Sequence, residues 1–185
     1  MKRFIVDIER DSIHPKIINE TKTFKVIEKE ESLSIFQGHC IDKNNKYTEA
    51  PLAELGENQG LFVFAKLTNG ILKIETDHLA SHRLYYYSLS DRIILSNNPL
   101  FIVDYLWEHY SHPLELCSDA AYSMLSLGYL PPPQTPYENV FGFAPNTLTE
   151  IYFGNKTFQK SKSHIVATDP EDFDVYEFDK MFEDA

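Results

Sequence analysis

The chain has 185 residues, 43% of them hydrophobic and 14% aromatic, with a formal net charge of −11 from 17 basic and 28 acidic side chains. A chain this apolar, at about the length of one domain, buries a substantial core, which excludes disorder; its acidic balance excludes nucleic acid and anionic membrane as main partners, since both require a basic surface. Two cysteines are too few for a disulfide framework, the charged start MKRFIVDIERD is no signal peptide, and no apolar run reaches membrane-spanning length, so a cytoplasmic protein is expected.

Residues 3–9 (RFIVDIE) alternate Phe4, Val6 and Ile8 against Ile5, Asp7 and Glu9, which predicts a strand with one buried face. Residues 10–21, which contain Pro15, read as a polar loop. Strands follow over 23–28 (TFKVIE) and 33–41 (LSIFQGHCI), with Gly38 marking a bulge or a close backbone approach. Thr48 caps a short helix over 48–57 that turns Leu52 and Leu55 to the core. Residues 60–67 (GLFVFAKL) form a strand, and Thr68-Asn69-Gly70 a tight turn, because Asn-Gly accepts positive φ.

The segment 71–103 organises the rest. It reads as a strand over 71–76, a strand over 83–89 (RLYYYSL), a short turn at Ser90-Asp91 and a strand over 92–96 (RIILS). Asn97-Asn98-Pro99 then start a helix, with Asn as N-cap and Pro at the first helical position. That helix, 99–110, presents Phe101, Ile102, Tyr105, Leu106 and His109 on one face. A second helix, 118–127, is capped by Ser118, carries Ala121, Tyr122 and Leu125 as its inner stripe, and ends at Gly128. Residues 129–136 (YLPPPQTP) form an extended connector, 137–143 are irregular or a short turn of helix, Pro145-Asn146 is a turn, and 147–153 is a strand. Gly154-Asn155 turns that strand into 156–159; the chain is acidic beyond about residue 164, and 173–185 begin a helix. Strands first, then two helices, then a closing hairpin predict an α+β domain with mainly antiparallel sheets.

Two stretches carry a family resemblance. Residues 77–86 (DHLASHRLYY) resemble the Asp-Arg-x-Gly-x-x-Pro-Leu-Tyr-Tyr segment in the glutamine amidotransferase-like domain of asparagine synthetases: Asp77, Leu84, Tyr85 and Tyr86 match, while His78, Ala80 and Arg83 replace Arg, Gly and Pro. Residues 125–140 (LSLGYLPPPQTPYENV) resemble a second segment, in which a helix ends in Gly-Tyr, here Gly128-Tyr129, and a Pro-containing connector leads to Thr-x-aromatic-Glu-x-Val. Residues 143–148 (FAPNTL) stand where that family has Leu-Pro-Pro-Gly, and 60–65 (GLFVFA) resemble its Gly-Met-Phe-Ala-Phe-Ala strand. Together these cover roughly residues 33–153.

The resemblance implies a sandwich of two mainly antiparallel sheets with flanking helices, of the N-terminal nucleophile hydrolase type. In that family an N-terminal cysteine, exposed by Met removal, releases ammonia from glutamine. Here the chain reads Met1-Lys2-Arg3, the family's Arg-Gly-Pro-Asp segment has no counterpart, and Gln37-Gly38 stand at the Asn-Gly of its oxyanion site. An ammonium side chain does not replace a thiolate nucleophile, so no catalytic residue for glutamine hydrolysis is expected. The implied boundaries are an amidotransferase-like domain over 1–165 and an acidic linker over 166–185 that begins a synthetase-domain helix. The implied partner is an asparagine synthetase-like ATP-binding domain, which alone carries ATP and Mg, since the family's Ser-Gly-Gly-x-Asp-Ser loop is absent from these residues. Related enzymes without the nucleophile form amide, lactam or macrolactam bonds with an amine already on the substrate. The alternative is a stand-alone binding or regulatory module.

Other groupings favour structural readings. His78-x3-His82 has metal-pair spacing but falls on a turn and a strand without a third ligand, and His109-x2-His112 lies at a helix end, where it suits the dipole. Cys40 beside His39 mimics a catalytic dyad, yet neighbours on a strand face opposite ways, so a hydrolase using Cys40 ranks lowest and a buried thiol is expected. Tyr129 and Tyr137, amphipathic and on a stiff connector, are the expected interface residues, with a homo-oligomer as a further possibility.

Overall fold

The computed structural model describes residues 3–10, 15–29, 32–41, 46–49, 51, 59–152 and 162–163. Most of the expected 48–57 helix, the 154–159 hairpin and the 166–185 linker lie outside these residues. In chain order the elements are β1 (Phe4–Glu9), β2 (Lys16–Asn19), β3 (Lys25–Lys29), β4 (Ser32–Ile41), β5 (Tyr47–Thr48), β6 (Gly60–Thr68), β7 (Ile71–Thr76), β8 (Tyr85–Ser88) and β9 (Arg92–Ser96). Helices α1 (Pro99–Tyr110) and α2 (Ser118–Leu127) follow, then β10 (Val140–Gly142), β11 (Thr147–Tyr152) and β12 (Lys162–Ser163). Two sheets result, β10-β8-β9-β1-β2 and β12-β11-β7-β6-β4-β3, with β5 added on β4. Their pairings among the described residues are antiparallel, which makes this an α+β fold. No described helix is long and apolar enough to cross a membrane.

The core sits between the sheets. Phe4, Val6 and Ile8 of β1, Tyr86 of β8, Ile93 and Leu95 of β9 meet Leu33, Ile35, Val63, Leu72, Ile74 and Ile151 of the other sheet. The opposite face of the first sheet is covered by α1, whose Phe101, Ile102, Tyr105 and Leu106 pack on Ile5, Tyr87, Ile94 and Val140. Each such side chain contributes about 1.5–3 kcal/mol by leaving water. β1 is therefore buried on both faces, not one, and β8 is likewise covered on both. Tyr86 enters the inter-sheet core while Tyr87 lies under the helix, as period-two geometry requires. Asn98 caps α1 as expected, accepting a hydrogen bond from the Leu100 N–H at 2.9 Å. Asn69 and Gly70 take φ of 52° and 72°, so the hairpin turn between β6 and β7 has the expected positive-φ pair.

Several expectations are corrected. The hairpin of β8 and β9 feeds directly into α1, which packs on it, while β7 joins the other sheet. Residues 16–19 are a strand rather than loop, because Ile17 and Ile18 pair with Val6 and Ile5 along the free edge of β1. Thr48 lies in β5, paired with Cys40. Residues 140–142 pair with β8 and are not irregular. Ser118 is the first helical residue of α2 and Cys117 its N-cap, with no side-chain capping bond. The inner stripe of α2 is overturned: Ala120 is buried, but Tyr122 is 72% and Leu125 88% exposed. Helical periodicity says which residues share a face, not that a core waits beneath it. His109 likewise lies exposed, its ring stacked on Tyr105 at 4.2 Å rather than buried.

Candidate functional site

At the end of β7 the chain passes through a tightly held turn. Asp77 is buried, and its carboxylate accepts from four donors: the Phe62 N–H at 2.8 Å, the Leu79 N–H at 2.7 Å, and the Ser81 N–H and hydroxyl at 3.1 and 3.2 Å. Its own N–H donates to the Phe62 carbonyl at 3.1 Å. Such a carboxylate is an anchor, since its lone pairs are already occupied by the fold. Ala80, in the same turn, has φ of 48°, a left-handed backbone that a side chain resists.

The turn is joined to residues 142–146, which follow the second resembling stretch. The Asn146 N–H donates to the Asp77 carbonyl at 2.8 Å, and the Thr76 hydroxyl donates to the Ala144 carbonyl at 2.7 Å. Phe143 stacks on Tyr86 with ring centroids 5.0 Å apart, and Gly142 pairs with Tyr85 in the ladder. Thr135 ties the connector down by donating to the Val140 carbonyl at 2.7 Å.

Between these stretches lies a cleft of about 560 Å³, lined by residues 76–85, 124–136 and 142–145 in part, with Pro99 from α1. Leu84, Tyr85, Gly128 and Tyr129 line it. Gly128 closes α2 with φ of 75°, which turns Tyr129 to the rim, where it is 59% exposed. The lining groups that ionise are His82, Arg83, Tyr85 and Tyr129; no cysteine, aspartate or glutamate is among the described lining residues. Burial holds the His82 imidazole below its ordinary value; Asp77 pulls it back and His39 lowers it further.

Gly38 of β4 approaches this region, whereas Gln37 pairs with Val63 and is not among the described lining residues. Gly38 has φ of 115°, and a Cβ there would stand 2.1 Å from the Leu61 carbonyl oxygen and 2.9 Å from the His82 ring. Gly38 is thus a point of close approach, paired in register with Phe62 without a bulge. The other groups do not join. Tyr86 belongs to the core, and Tyr137 packs, partly buried, against the cluster under α1. Cys40 is fully buried among Phe36, Phe62 and Phe64, whereas the adjacent His39 is exposed, and neither cysteine is in a disulfide. His112 meets the Tyr87 hydroxyl at 2.9 Å, and among the described residues no three metal-ligating side chains cluster.

Sequence reasoning missed Arg83 and Gln134 as site residues and read His82 only as half of a metal pair. Arg83 was visible as a departure from a family pattern; Gln134, between prolines, gave no signal. The arrangement offers apolar walls with a guanidinium, one side-chain amide and several hydroxyls, the make-up of a small-molecule site. No family model matches the sequence, and no curated protein matches it.

Proposed function

We propose that this chain is a degenerate, non-hydrolytic glutamine amidotransferase-like domain of the N-terminal nucleophile hydrolase type, which supports an asparagine synthetase-like, ATP-dependent amide- or lactam-forming ligase domain. The observation that carries this reading is the meeting of the resembling stretch 77–86 with the segment that stands at the family's Leu-Pro-Pro-Gly position. Residues 77–86 and 142–146 are far apart in sequence, yet Asp77 bonds Asn146, Tyr86 stacks on Phe143 and Tyr85 pairs with Gly142. Ala80 supports it further. It stands where the family pattern has glycine, and its backbone keeps the positive φ for which glycine is the default residue.

The domain binds and supports rather than hydrolyses. Its buried Asp77 is saturated by backbone donors, and the thiol of Cys40 is shut inside an aromatic cluster. ATP and Mg belong to the partner domain. The exposed apolar side chains of α2, Tyr122, Met124, Leu125 and Leu127, with Tyr129 beyond them, form the surface offered to that partner. The reading is tested by incubating the purified chain with glutamine: glutamate and ammonia should stay at the level of a heat-killed control. Steady release above it overturns the reading, and loss of that release in Cys40→Ser would move the protein to a Cys40 hydrolase.

A further inference from the structure

We propose that the cleft between the 76–85 and 124–145 stretches is the docking site of the chain's own acidic and aromatic stretch, residues 169–179. The inference concerns this chain alone and does not depend on any ligase partner.

The register of β12 sets the route. Lys162 stands opposite Leu148 and Ser163 opposite Thr147. In this antiparallel pair β12 runs towards the start of β11, so the chain leaves Ser163 in the direction of residues 146 and 145. Pro145 lines the cleft. Thr147 is joined to a second lining residue, its N–H donating to the Thr76 hydroxyl at 3.2 Å. The chain therefore departs from β12 beside the cleft. Phe173 follows Ser163 by ten residues, a reach of up to about 33 Å, which is ample to enter a space of about 560 Å³.

Charge selects the cleft. Asp169, Glu171, Asp172, Asp174, Glu177 and Asp179 follow one another without a basic residue among them, in a chain of net charge −11. A surface of that sign repels such a stretch. The cleft differs, because no aspartate or glutamate is among its described lining residues. Arg83, exposed at its wall, takes part in no salt bridge among the described residues. Its guanidinium matches a carboxylate through two parallel N–H donors.

Apolar area supplies the rest. Leu79 and Tyr129 are 76% and 59% exposed at the cleft, and Met124, Leu130 and Phe143 continue its walls. Phe173, Tyr176 and Phe178 are interleaved with the acids of 169–179. One stretch thus brings rings to cover these walls and carboxylates for Arg83.

The test uses the full 15N-labelled chain carrying Cys117→Ser and Val175→Cys, with a nitroxide attached at position 175; Cys40 is fully buried and stays unlabelled. Amides of residues 79–85 and 128–136 should lose intensity while the nitroxide is oxidised and regain it on reduction. Arg83→Glu should restore most of that loss, whereas Arg10→Glu, the same charge reversal outside the described cleft lining, should not. Replacing Phe173, Tyr176 and Phe178 together by Ser should restore it as well. Full intensity throughout the cleft, or a loss untouched by Arg83→Glu or by the triple replacement, would overturn the assignment. So would an equal loss in a 15N-labelled chain without nitroxide mixed with a nitroxide-bearing chain at natural abundance, since the occupant would then come from a second copy.

Discussion

The carboxylate of Asp77 receives the Phe62 backbone N–H at 2.8 Å while the Asp77 N–H donates to the Phe62 carbonyl at 3.1 Å. One residue thereby extends the β6–β7 ladder by its backbone and closes the following turn by its side chain. Phe62 also pairs with Gly38, so the same contact joins the turn to β4. Asp77→Ala should therefore cost about 3 kcal/mol, by leaving buried N–H donors unpaired. Asp77→Asn, which keeps one acceptor oxygen, should cost less. Urea denaturation with an unchanged slope checks both; equal stability of Asp77→Ala and the parent would show that the turn holds without the carboxylate.

Gly38→Ala should be more damaging than its size implies. Its Cβ would meet backbone at 2.1 Å, and φ of 115° is already unfavourable for any side chain. The two nearest neighbours, the Leu61 carbonyl oxygen and the Phe62 Cα, are backbone, so the loss should exceed about 3 kcal/mol and the variant should express poorly. A soluble Gly38→Ala protein with parental urea midpoint would refute the close approach.

Ala80→Gly should act in the other direction. Relieving a left-handed alanine at φ of 48° should raise stability by about 1 kcal/mol, net of the added chain entropy. A fall in stability would mean that the turn is not held at positive φ.

Alkali should weaken the fold through its buried tyrosines. Burial pushes the Tyr86 phenol from 10.0 up to about 12. Its contribution is fully present below pH 10.0, the unfolded value, and is lost as pH rises towards about 12, because only the unfolded chain ionises there. The slope contributed by one such group approaches about 1.4 kcal/mol per pH unit. Tyr87, Tyr105 and Tyr110 are raised for the same first reason, so Tyr86→Phe should reduce the slope without abolishing it. Urea midpoints measured across that window check the sign; a slope unchanged by Tyr86→Phe would place the phenol outside the core.

Much of the fold was legible, for reasons that differ by element. Asn98-Pro99 specified the start of α1 because capping and a fixed proline φ are local chemistry. Asn69-Gly70 specified a turn for the same reason. β2 was not legible, since KIIN becomes a strand only through the edge of β1. The inner face assigned to α2 failed because burial is a tertiary property, and Leu125 carries no mark that says what covers it. In the site, Asp77, Leu84, Tyr85, Gly128 and Tyr129 were named from sequence and share one region, whereas Gln134 and Arg83 depended on the path of the connector around the cleft. Tyr137 looked like surface because Pro-rich segments usually are, yet it packs against the cluster under α1.

Sedimentation velocity of the chain mixed with the asparagine synthetase-like ATP-binding domain from the same organism tests the central claim most directly. Support of that domain predicts a 1:1 complex at micromolar concentrations, weakened at least about tenfold by Leu125→Asp on the exposed face of α2, a change that should leave the fold intact because Leu125 is 88% exposed. Two species sedimenting independently at tens of micromolar, or a complex indifferent to Leu125→Asp and Tyr129→Ser alike, would contradict it.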